Sequence, residues 1–352
     1  MQADYLVIGQ GISGTWLSYY LEQAGASFLV IDNADPGAPS RLAAGIINPV
    51  TGRRHVSVWL DTTLWSFVPE AYHQLGTQLQ VTAISRRDII DFFPTPQMRL
   101  NFSERVAEHA AYMSLGTDDY KYLDSFNYDF GYGCISPVYT AHLETILPAW
   151  RKHLQANARL LEKNFDHHLL EVSPGGVRYQ DITAGTVIFC DGAAGSQLPW
   201  FERLPFAPNK GEALTLHIPD LPGDHVYKKG MMLTPLANPG EWWVGSGYAW
   251  DFENLDPTPE FRAKTEALLK EWLTVPFTMT GPLAGNRPAT LERRPFVGRH
   301  PLFPQIAILN GMGTKGCSLA PYFARQLAEH LLHQAPIHPE ADVQRFSRIL
   351  SR

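Results

Sequence analysis

Two short apolar segments, separated by an amphipathic one, begin the chain. Residues 5–8 form a continuous apolar run, which is typical of a strand covered on both faces. A second apolar run, residues 28–31, ends at Asp32. Between them, apolar residues recur at helical spacing at Trp16, Leu17, Tyr20, Leu21 and Ala24. The pattern predicts one βαβ unit over residues 4–32.

Later segments alternate between strand-like and helix-like patterns. Strands are predicted at 158–163, 167–172, 176–180, 187–190, 211–218, 231–235, 241–247 and 306–309. Helices are predicted from Leu143 to about Leu154, from Pro259 to about Trp272 and from about Leu319 to Leu332. Residues 59–133 are rich in aromatic residues and mixed in pattern, and we interpret them as the first part of a second lobe.

Three glycines follow the first apolar run in the spacing GxGxxG. Gly9 permits a tight turn, Gly11 lets the backbone approach a pyrophosphate, and Gly14 lets helix and strand pack closely. The pyrophosphate then lies at the positive end of the helix. Asp32, about 20 residues further on, is suited to accept hydrogen bonds from ribose hydroxyls. The segment predicts a dinucleotide site, and the motif alone does not choose between NAD and FAD.

Composition narrows the class of protein. Hydrophobic residues make up 45% of the 352 residues, which argues against disorder, and the length favours two lobes. The formal net charge of -6 disfavours a nucleic-acid partner. Cys134, Cys190 and Cys317 form no CxxC pair, which argues against a disulfide framework and a cysteine zinc site. With no membrane-spanning apolar run and no leader pattern at the N-terminus, we expect a cytoplasmic protein.

Three further segments carry candidate chemistry. Residues 310–316 form a second glycine-rich loop before a helix, which is again suited to bind an anion. The small residues Ala43, Ala44 and Gly45 suit a segment that passes close to something flat, although a turn into a buried element explains them equally well. His167 and His168 have no third ligand at useful spacing, so we predict no metal site there.

The order of these motifs resembles the D-amino-acid oxidase / glycine oxidase family of FAD-dependent oxidoreductases. The opening fingerprint, the small-residue segment, VIFCDGAAG, GNRP and GMGTKG carry the resemblance over essentially the whole chain. It implies an α/β fold with a Rossmann-like, doubly wound FAD-binding domain of the GR2 type and a second, substrate-binding domain built on a large, mostly antiparallel sheet. The implied FAD-binding domain comprises residues 1–58, 134–203 and 286–352, and the substrate-binding domain residues 59–133 and 204–285.

The resemblance also implies the residues that hold the cofactor. No cysteine falls where covalent-flavin relatives attach FAD, so non-covalent FAD is expected. The implied cofactor-binding residues are Gly9, Gly11, Ile12, Ser13, Gly14, Asp32, Asn33, Arg41, Ala43, Ala44, Gly45, Phe165, Asp166, Gly192, Ala193, Gly311, Gly313, Thr314, Lys315 and Gly316.

Two cationic residues are the implied catalytic groups. Arg287 occupies the place of the family's arginine that clamps the substrate carboxylate, and a guanidinium fork suits that task. A surface or interlobe ion pair is the alternative. Lys315 would stabilise negative charge on the reduced flavin, unless it is a solvated loop lysine. The implied reaction oxidises a small amine, an amino or imino acid, by hydride transfer from Cα to flavin N5. Imine hydrolysis follows, and oxygen or another acceptor reoxidises the flavin.

Other functions stay open at this point. The same fold carries 2-hydroxy-acid and polyol dehydrogenases, and a flavin-binding sensor or scaffold without turnover is a further possibility. A tRNA-modifying enzyme would need a basic patch, for which the pairs Arg53-Arg54, Arg86-Arg87 and Arg293-Arg294 are candidates. Trp243 and Tyr248 either line the substrate side of the sheet or pack as ordinary strand residues. The sequence gives no indication of the oligomeric state.

Overall fold

The computed structural model describes residues 1–52, 54–108 and 111–351. Its strands are β1 (Gln2–Ile8), β2 (Phe28–Ile31), β3 (Ile46–Ile47), β4 (Val50–Thr51), β5 (Val56–Ser57), β6 (Ile84–Arg86), β7 (Ile89–Phe92), β8 (Met113–Leu115), β9 (Tyr132–Ile135), β10 (Tyr139–Ala141), β11 (Leu160–Leu161), β12 (Leu170–Ser173), β13 (Gly176–Tyr179), β14 (Ile182–Phe189), β15 (Asn209–His217), β16 (Val226–Lys229), β17 (Met231–Pro235), β18 (Glu241–Gly245), β19 (Thr278–Arg287), β20 (Phe296–Arg299) and β21 (Ile306–Asn310). Its α-helices are α1 (Ile12–Gln23), α2 (Pro39–Leu42), α3 (Asp61–Leu79), α4 (Pro96–Glu108), α5 (Leu143–Ala156), α6 (Pro259–Trp272), α7 (Gly316–His333) and α8 (Ser347–Leu350).

The first sheet is built around β1. This strand pairs in parallel with β2 on one side and with β14 on the other, and β11 and β21 extend the parallel part. β12, β13 and β20 add antiparallel pairs. β2 follows β1 in the βαβ unit, whereas β14 comes from a distant part of the chain. Because β1 and β14 are parallel, the loops that follow them open at the same edge of the sheet. Ligands of doubly wound sheets bind at such a switch point.

Apolar side chains cover both faces of this sheet. Val7, Val30 and Ile188 lie in a core that also contains residues of α1, α3, α5 and α7. Leu6 and Val187 belong to a second core that includes residues of β12 and β13. Successive strand residues point to opposite faces, and here both faces are apolar, as a sheet buried on both sides requires.

The second large sheet has the strand order β19-β15-β18-β17-β16-β7-β9-β8. Its pairs are antiparallel, except for the parallel pair of β16 and β7. Phe92, Leu214 and Trp242 pack with Leu269 and Trp272 of α6 in an apolar core. The α/β fold with mixed sheets is therefore the one predicted.

Most predicted elements are confirmed, although the boundaries of several differ from the prediction. The βαβ unit, α5, α6 and the strands of the second sheet are present. Helix α7 begins at Gly316, three residues before the predicted start. The strand predicted over 167–172 is wrong in its first half. There the Asp166 carboxylate accepts a hydrogen bond from His168 N at 3.0 Å, and the chain makes a 3-10 turn over His167–Leu169 before β12.

The structure adds two long helices that the sequence pattern did not predict, besides the four-residue helices α2 and α8. α3 and α4 both lie within residues 59–133. α3 packs into the core of the first sheet, where Tyr72 donates a hydrogen bond to the Cys317 carbonyl at 3.0 Å. Pro69 lies inside α3, which weakened its helical pattern. In the described part of the chain, no helix combines the length and apolarity needed to cross a membrane.

Candidate active site and cofactor-binding cleft

A cavity of about 1210 Å³ lies between the ends of β1, β14 and β21 and one face of the second sheet. Ile8, Cys190 and Asn310 line it from the first sheet, and Gly211, Trp243 and Leu283 line it from the second. Ordinary ligand pockets have ~300–1,000 Å³. The volume therefore suffices for a dinucleotide with a small second molecule beside it.

The loop between β1 and α1 forms one wall of the cavity through Gly9, Gly11 and Ile12. Gly14 lies behind this wall, where a Cβ would come within 1.8 Å of the Gly9 carbonyl oxygen. Gly14 therefore permits the close packing of helix and strand that its place in the motif predicts. Gly11 is the N-cap of α1 and brings no side chain to the helix end, which lines the cavity. There the Ser40 hydroxyl accepts a hydrogen bond from Ile12 N at 3.0 Å.

Asp32 stands at the end of β2 and is held from several sides. Its Oδ2 accepts a hydrogen bond from Gln10 N at 2.8 Å. Its Oδ1 accepts one from Arg151 Nη1 at 2.5 Å and lies 3.9 Å from Arg41 Nη2. The carboxylate is therefore fixed at the cavity wall. Arg151 was not predicted, because its position on α5, 119 residues away, marks it only as part of an amphipathic helix.

Most of the residues predicted to hold the cofactor do line this cavity. Gly14, Asp166 and Gly311 lie outside the lining. Asp166 is exposed, and Gly311 is packed where a Cβ would lie 2.7 Å from Thr290 Cγ2. The predicted residues that line the cavity are Gly9, Gly11, Ile12, Ser13, Asp32, Asn33, Arg41, Ala43, Ala44, Gly45, Phe165, Gly192, Ala193, Gly313, Thr314, Lys315, Gly316 and Arg287.

Lys315 is the N-cap of α7, and its Nζ donates a hydrogen bond to Asn48 Oδ1 at 2.7 Å. Burial lowers its pKa to about 8, although the nearby Cys317 acts in the opposite direction. The ammonium is thus protonated at neutral pH and close to losing its charge. Asn48 was not predicted, because nothing in its sequence surroundings indicates a lysine 267 residues away.

Arg287 ends β19 and extends its guanidinium over Gly211, where a Cβ would lie 2.1 Å from Cζ. Its Nη1 donates hydrogen bonds to Asn209 Oδ1 at 3.0 Å and to the Gly247 carbonyl at 3.2 Å. The Tyr248 ring centroid lies 4.3 Å from Cζ. Among the residues that the structure describes, no carboxylate lies within ion-pair distance of Arg287. The interlobe ion pair considered as an alternative is therefore not found there.

Three more residues around the cavity carry polar groups. Asn286 lines the cavity beside Arg287, and its side-chain Oδ1 is buried without a hydrogen-bond partner. Trp243 and Tyr248 both line the cavity, and Trp243 Nε1 donates a hydrogen bond to the Leu42 carbonyl at 2.9 Å.

Asp191 follows β14 and also lines the cavity, where its Oδ1 accepts a hydrogen bond from Asn310 Nδ2 at 3.1 Å. Burial raises its pKa to about 7, against the smaller opposing effects of its backbone and Asn310. An acid in this turn was not predicted as a site residue, since the resemblance indicated only the glycine and alanine beside it.

Two groups of charged residues were considered for other functions. Asp166, His167 and His168 place ligand-type atoms within 4.8 Å of one another, so the prediction that no third ligand is near was wrong. The absence of a metal there stays a prediction. Of the arginine pairs, Arg53 lies outside the described residues, and Arg86 and Arg294 form ion pairs with Asp88 and Glu340.

Comparison with known proteins is consistent with this cleft. A family model described as FAD dependent oxidoreductase (DAO) matches residues 4–330. An uncharacterized oxidoreductase of Bacillus subtilis, YurR, is 38% identical over 56 residues, which is 16% of this chain and 15% of that protein. The chain therefore matches only a small part of this relative's length.

Solved structures match over nearly the whole chain at low identity. Iminodiacetate oxidase (IdaA) from Chelativorans sp. BNC1 is 21% identical with a TM-score of 0.77, covering 98% of each chain. Glycine oxidase from Geobacillus kaustophilus is 16% identical with a TM-score of 0.76, covering 96% of each. L-proline dehydrogenase from P. horikoshii is 17% identical with a TM-score of 0.77, covering 99% of this chain and 98% of that one. At these identities the structures show a shared fold.

The glycine loop at α1, the anchored carboxylate of Asp32 and the glycine-rich turn before α7 line one cavity large enough for FAD. These residues fit a dinucleotide with a pyrophosphate at a helix N-terminus. Together with the family match over residues 4–330, they show that the chain belongs to the DAO family of FAD-dependent oxidoreductases, with FAD as its cofactor.

Proposed function

We propose that the protein oxidises a small amino or imino acid whose carboxylate is held by Arg287. The observation that carries the proposal is the guanidinium itself, which lines the cavity, is partly buried and has no carboxylate partner among the described residues. A partly buried charge without a counter-ion is costly, and a substrate carboxylate would supply that counter-ion with two parallel hydrogen bonds. FAD, when bound, supplies the hydride acceptor for this reaction.

The surrounding residues support the orientation and enclosure of such a substrate. Asn209 and the Gly247 carbonyl hold one edge of the guanidinium, and Tyr248 covers its face. The position of the fork is thereby fixed before a substrate arrives. The structures that resemble this one include an iminodiacetate oxidase, a glycine oxidase and an L-proline dehydrogenase, which favours an amine over a hydroxyl substrate. We assign no general base, because the amine can enter in its neutral form.

We further propose that FAD is bound without a covalent link. Cys190 and Cys317 line the cavity, but burial raises the pKa of each thiol, that of Cys317 to about 12. Thiols that stay protonated are poor nucleophiles. In this proposal Gly9, Gly11, Ile12, Ser13 and the residues of the 311–316 loop hold the phosphates and the flavin end. Lys315 places a positive charge beside that end.

The division into an FAD-binding domain (1–58, 134–203, 286–352) and a substrate-binding domain (59–133, 204–285) stays a proposal. It is supported by the strands of the parallel sheet, which come from the first set of segments. Reoxidation by oxygen or another acceptor also belongs to the proposal, and the cytoplasmic location stays a prediction.

To test the proposal, the holoenzyme is mixed under anaerobic conditions with amino acids, imino acids and 2-hydroxy acids. The visible absorbance of the flavin is followed. Bleaching by an amino or imino acid is expected. Arg287→Met should lower kcat/KM at least ~100-fold, because hydrogen bonds to charged groups contribute ~1.5–3 kcal/mol each. Arg203→Met, an exposed arginine away from the cavity, is the matched control and should leave kcat/KM unchanged. If only hydroxy acids bleach the flavin, the proposal is wrong and the 2-hydroxy-acid dehydrogenase alternative takes its place.

A further inference from the structure

Three titratable side chains meet under the second sheet, far from Arg287. The Asp91 Oδ2 atom accepts a hydrogen bond from His55 Nε2 at 2.8 Å and one from Lys228 Nζ at 2.6 Å. Asp91 is 2% exposed and His55 4% exposed. The side chain of Lys228 is 16% exposed, and both Lys228 and Asp91 line the cavity. Replacing a buried ion pair by apolar packing is often neutral or stabilising, so stability is a weak explanation for this one.

The ion pair ends a row of residues that crosses the roof of the cavity. Strand pairing aligns one residue of each strand with the next, and every member of the row lines the cavity. Between the charged end and the edge strand β19 the row carries no charge. In order, the row consists of Asp91, Lys228, Met232, Gly245, Ala213 and Leu283.

Arg287 stands at the opposite end of this roof. It follows Leu283 by four residues on β19, so the two lie on the same face of the strand. Its guanidinium covers Gly211, two residues before Ala213 on β15. Three strand spacings of ~4.8 Å and two residues of ~3.4 Å separate that point from Lys228, which gives about 16 Å along the sheet. The cavity roof is thus an apolar strip with a cation at each end.

Lys228 retains hydrogen-bonding capacity toward the cavity. An ammonium has three N–H donors; Asp91 takes one of them, and Nζ also lies 3.3 Å from His55 Nε2, so at least one donor remains for a ligand. Asp91 also offsets much of the positive charge, so Lys228 is a weak anion site alone. It is suited to a ligand whose other end is already held, because the second contact is then intramolecular. Asp91 and His55 position the lysine.

We propose that Lys228 binds a second carboxylate at the far end of the substrate, so that the substrate is an amino or imino acid with two acidic ends. The inference rests on the proposed function, in which Arg287 holds the first carboxylate. The apolar strip between the two cations, lined by Met232, Gly245 and Ala213, accommodates the connecting chain. Lys228 therefore determines specificity rather than taking part in the chemistry.

To test this inference, the holoenzyme is titrated with straight-chain monocarboxylates and α,ω-dicarboxylates of four to about ten carbons. Binding is followed by the ligand-induced change in the flavin spectrum. Dicarboxylates long enough to span the strip should bind ~10-fold or more tightly than monocarboxylates of equal length. Lys228→Met should abolish this advantage, so that mono- and dicarboxylates of equal length bind with similar affinity. Because Lys228→Met leaves Asp91 buried without its cation, Lys228→Met/Asp91→Asn is the second variant, and it should give the same result.

The outcomes separate the two proposals. If monocarboxylates bind through Arg287 and the second carboxylate adds nothing, or its advantage survives in both variants, Lys228 is a structural residue and this inference is wrong. If neither series alters the flavin spectrum, or if binding is the same in Arg287→Met, the carboxylate clamp is wrong and both proposals fall.

Discussion

Asp191 offers a direct test of the electrostatics of the cleft. The side chain lies after β14 at the cavity wall, with Asn310 Nδ2 as its hydrogen-bond donor at 3.1 Å. Burial is the largest influence on its pKa, which rises to about 7. Asp191→Asn keeps the shape and the acceptor oxygen for Asn310 but cannot ionise. The variant therefore isolates the free energy of ionising this one group.

The size and sign of the effect follow from proton linkage. In the unfolded chain the Asp191 carboxyl has the ordinary aspartate pKa of 3.8, so between pH 3.8 and about 7 the folded protein holds one proton more than the unfolded chain. Its contribution to the free energy of unfolding falls by ~1.4 kcal/mol per pH unit across that window and is constant above it. The total is at most ~4 kcal/mol, and water that enters the cavity reduces it. Asp191→Asn does not lose this free energy of unfolding as the pH rises, because its side chain does not ionise.

The assay is urea unfolding of the FAD-free wild type and Asp191→Asn at pH values from 4 to 8. The difference between the variants removes the contribution of all other titrating groups. We expect the variants to be close at pH 4 and the asparagine variant to be progressively more stable as the pH rises, with no further change above about pH 7. A stability difference that is independent of pH, or one that favours the wild type at pH 8, would refute the assignment of a raised pKa.

Two further predictions concern residues on opposite sides of the cleft. Burial lowers the pKa of Lys315 to about 8, so the charged ammonium costs stability below that pH, and the cost disappears as the pH rises toward 10.5. Lys315→Met should therefore be more stable than wild type by up to ~3 kcal/mol near pH 7, and the gap between their urea midpoints should close by pH 10. A gap that widens as the pH rises would contradict this prediction. Gly14→Ala would place a Cβ 1.8 Å from the Gly9 carbonyl oxygen, so this variant should lose FAD on gel filtration. The control Gly25→Ala has no atom within 4 Å of its Cβ position and should retain FAD, at some cost to stability from the positive φ of residue 25. Retention of FAD by Gly14→Ala at the wild-type level would contradict the close-packing role.

The parts of the fold that were predicted from sequence are those with local signals. The first βαβ unit, with its glycines and Asp32, lies within about thirty residues, and spacing alone identifies it. Helix α3 was missed although Leu64, Val68, Tyr72 and Leu75 have helical spacing, because Pro69 and the aromatic residues around it obscured the pattern. The helix was therefore missed because local signals conflicted, and not because its formation depends on distant residues.

The candidate site divides in the same way. Arg287 and Lys315 were identified by motif, but their surroundings were not. The hydrogen bonds of Arg287 with Asn209 and of Lys315 with Asn48 depend on segments that folding brings together. Asp91 and Lys228 are 137 residues apart and meet only because β7 and β16 pair in parallel. No spacing rule links such residues, so only the structure shows that they line one cavity with Arg287.

The position of β1 between β2 and β14 has a consequence for synthesis of the protein. β14 begins 180 residues after β1, so at a translation rate of ~5–20 residues per second the ribosome needs roughly 10–40 s to deliver it. For that time one edge of β1 is an unpaired apolar strand, open to pairing with other nascent chains. The strand and loop that close the cofactor cleft, β21 and the residues before α7, are made later still. FAD can therefore bind to a complete cleft only after most of the chain has been made. A supply of the cofactor at that moment should raise the yield of folded protein.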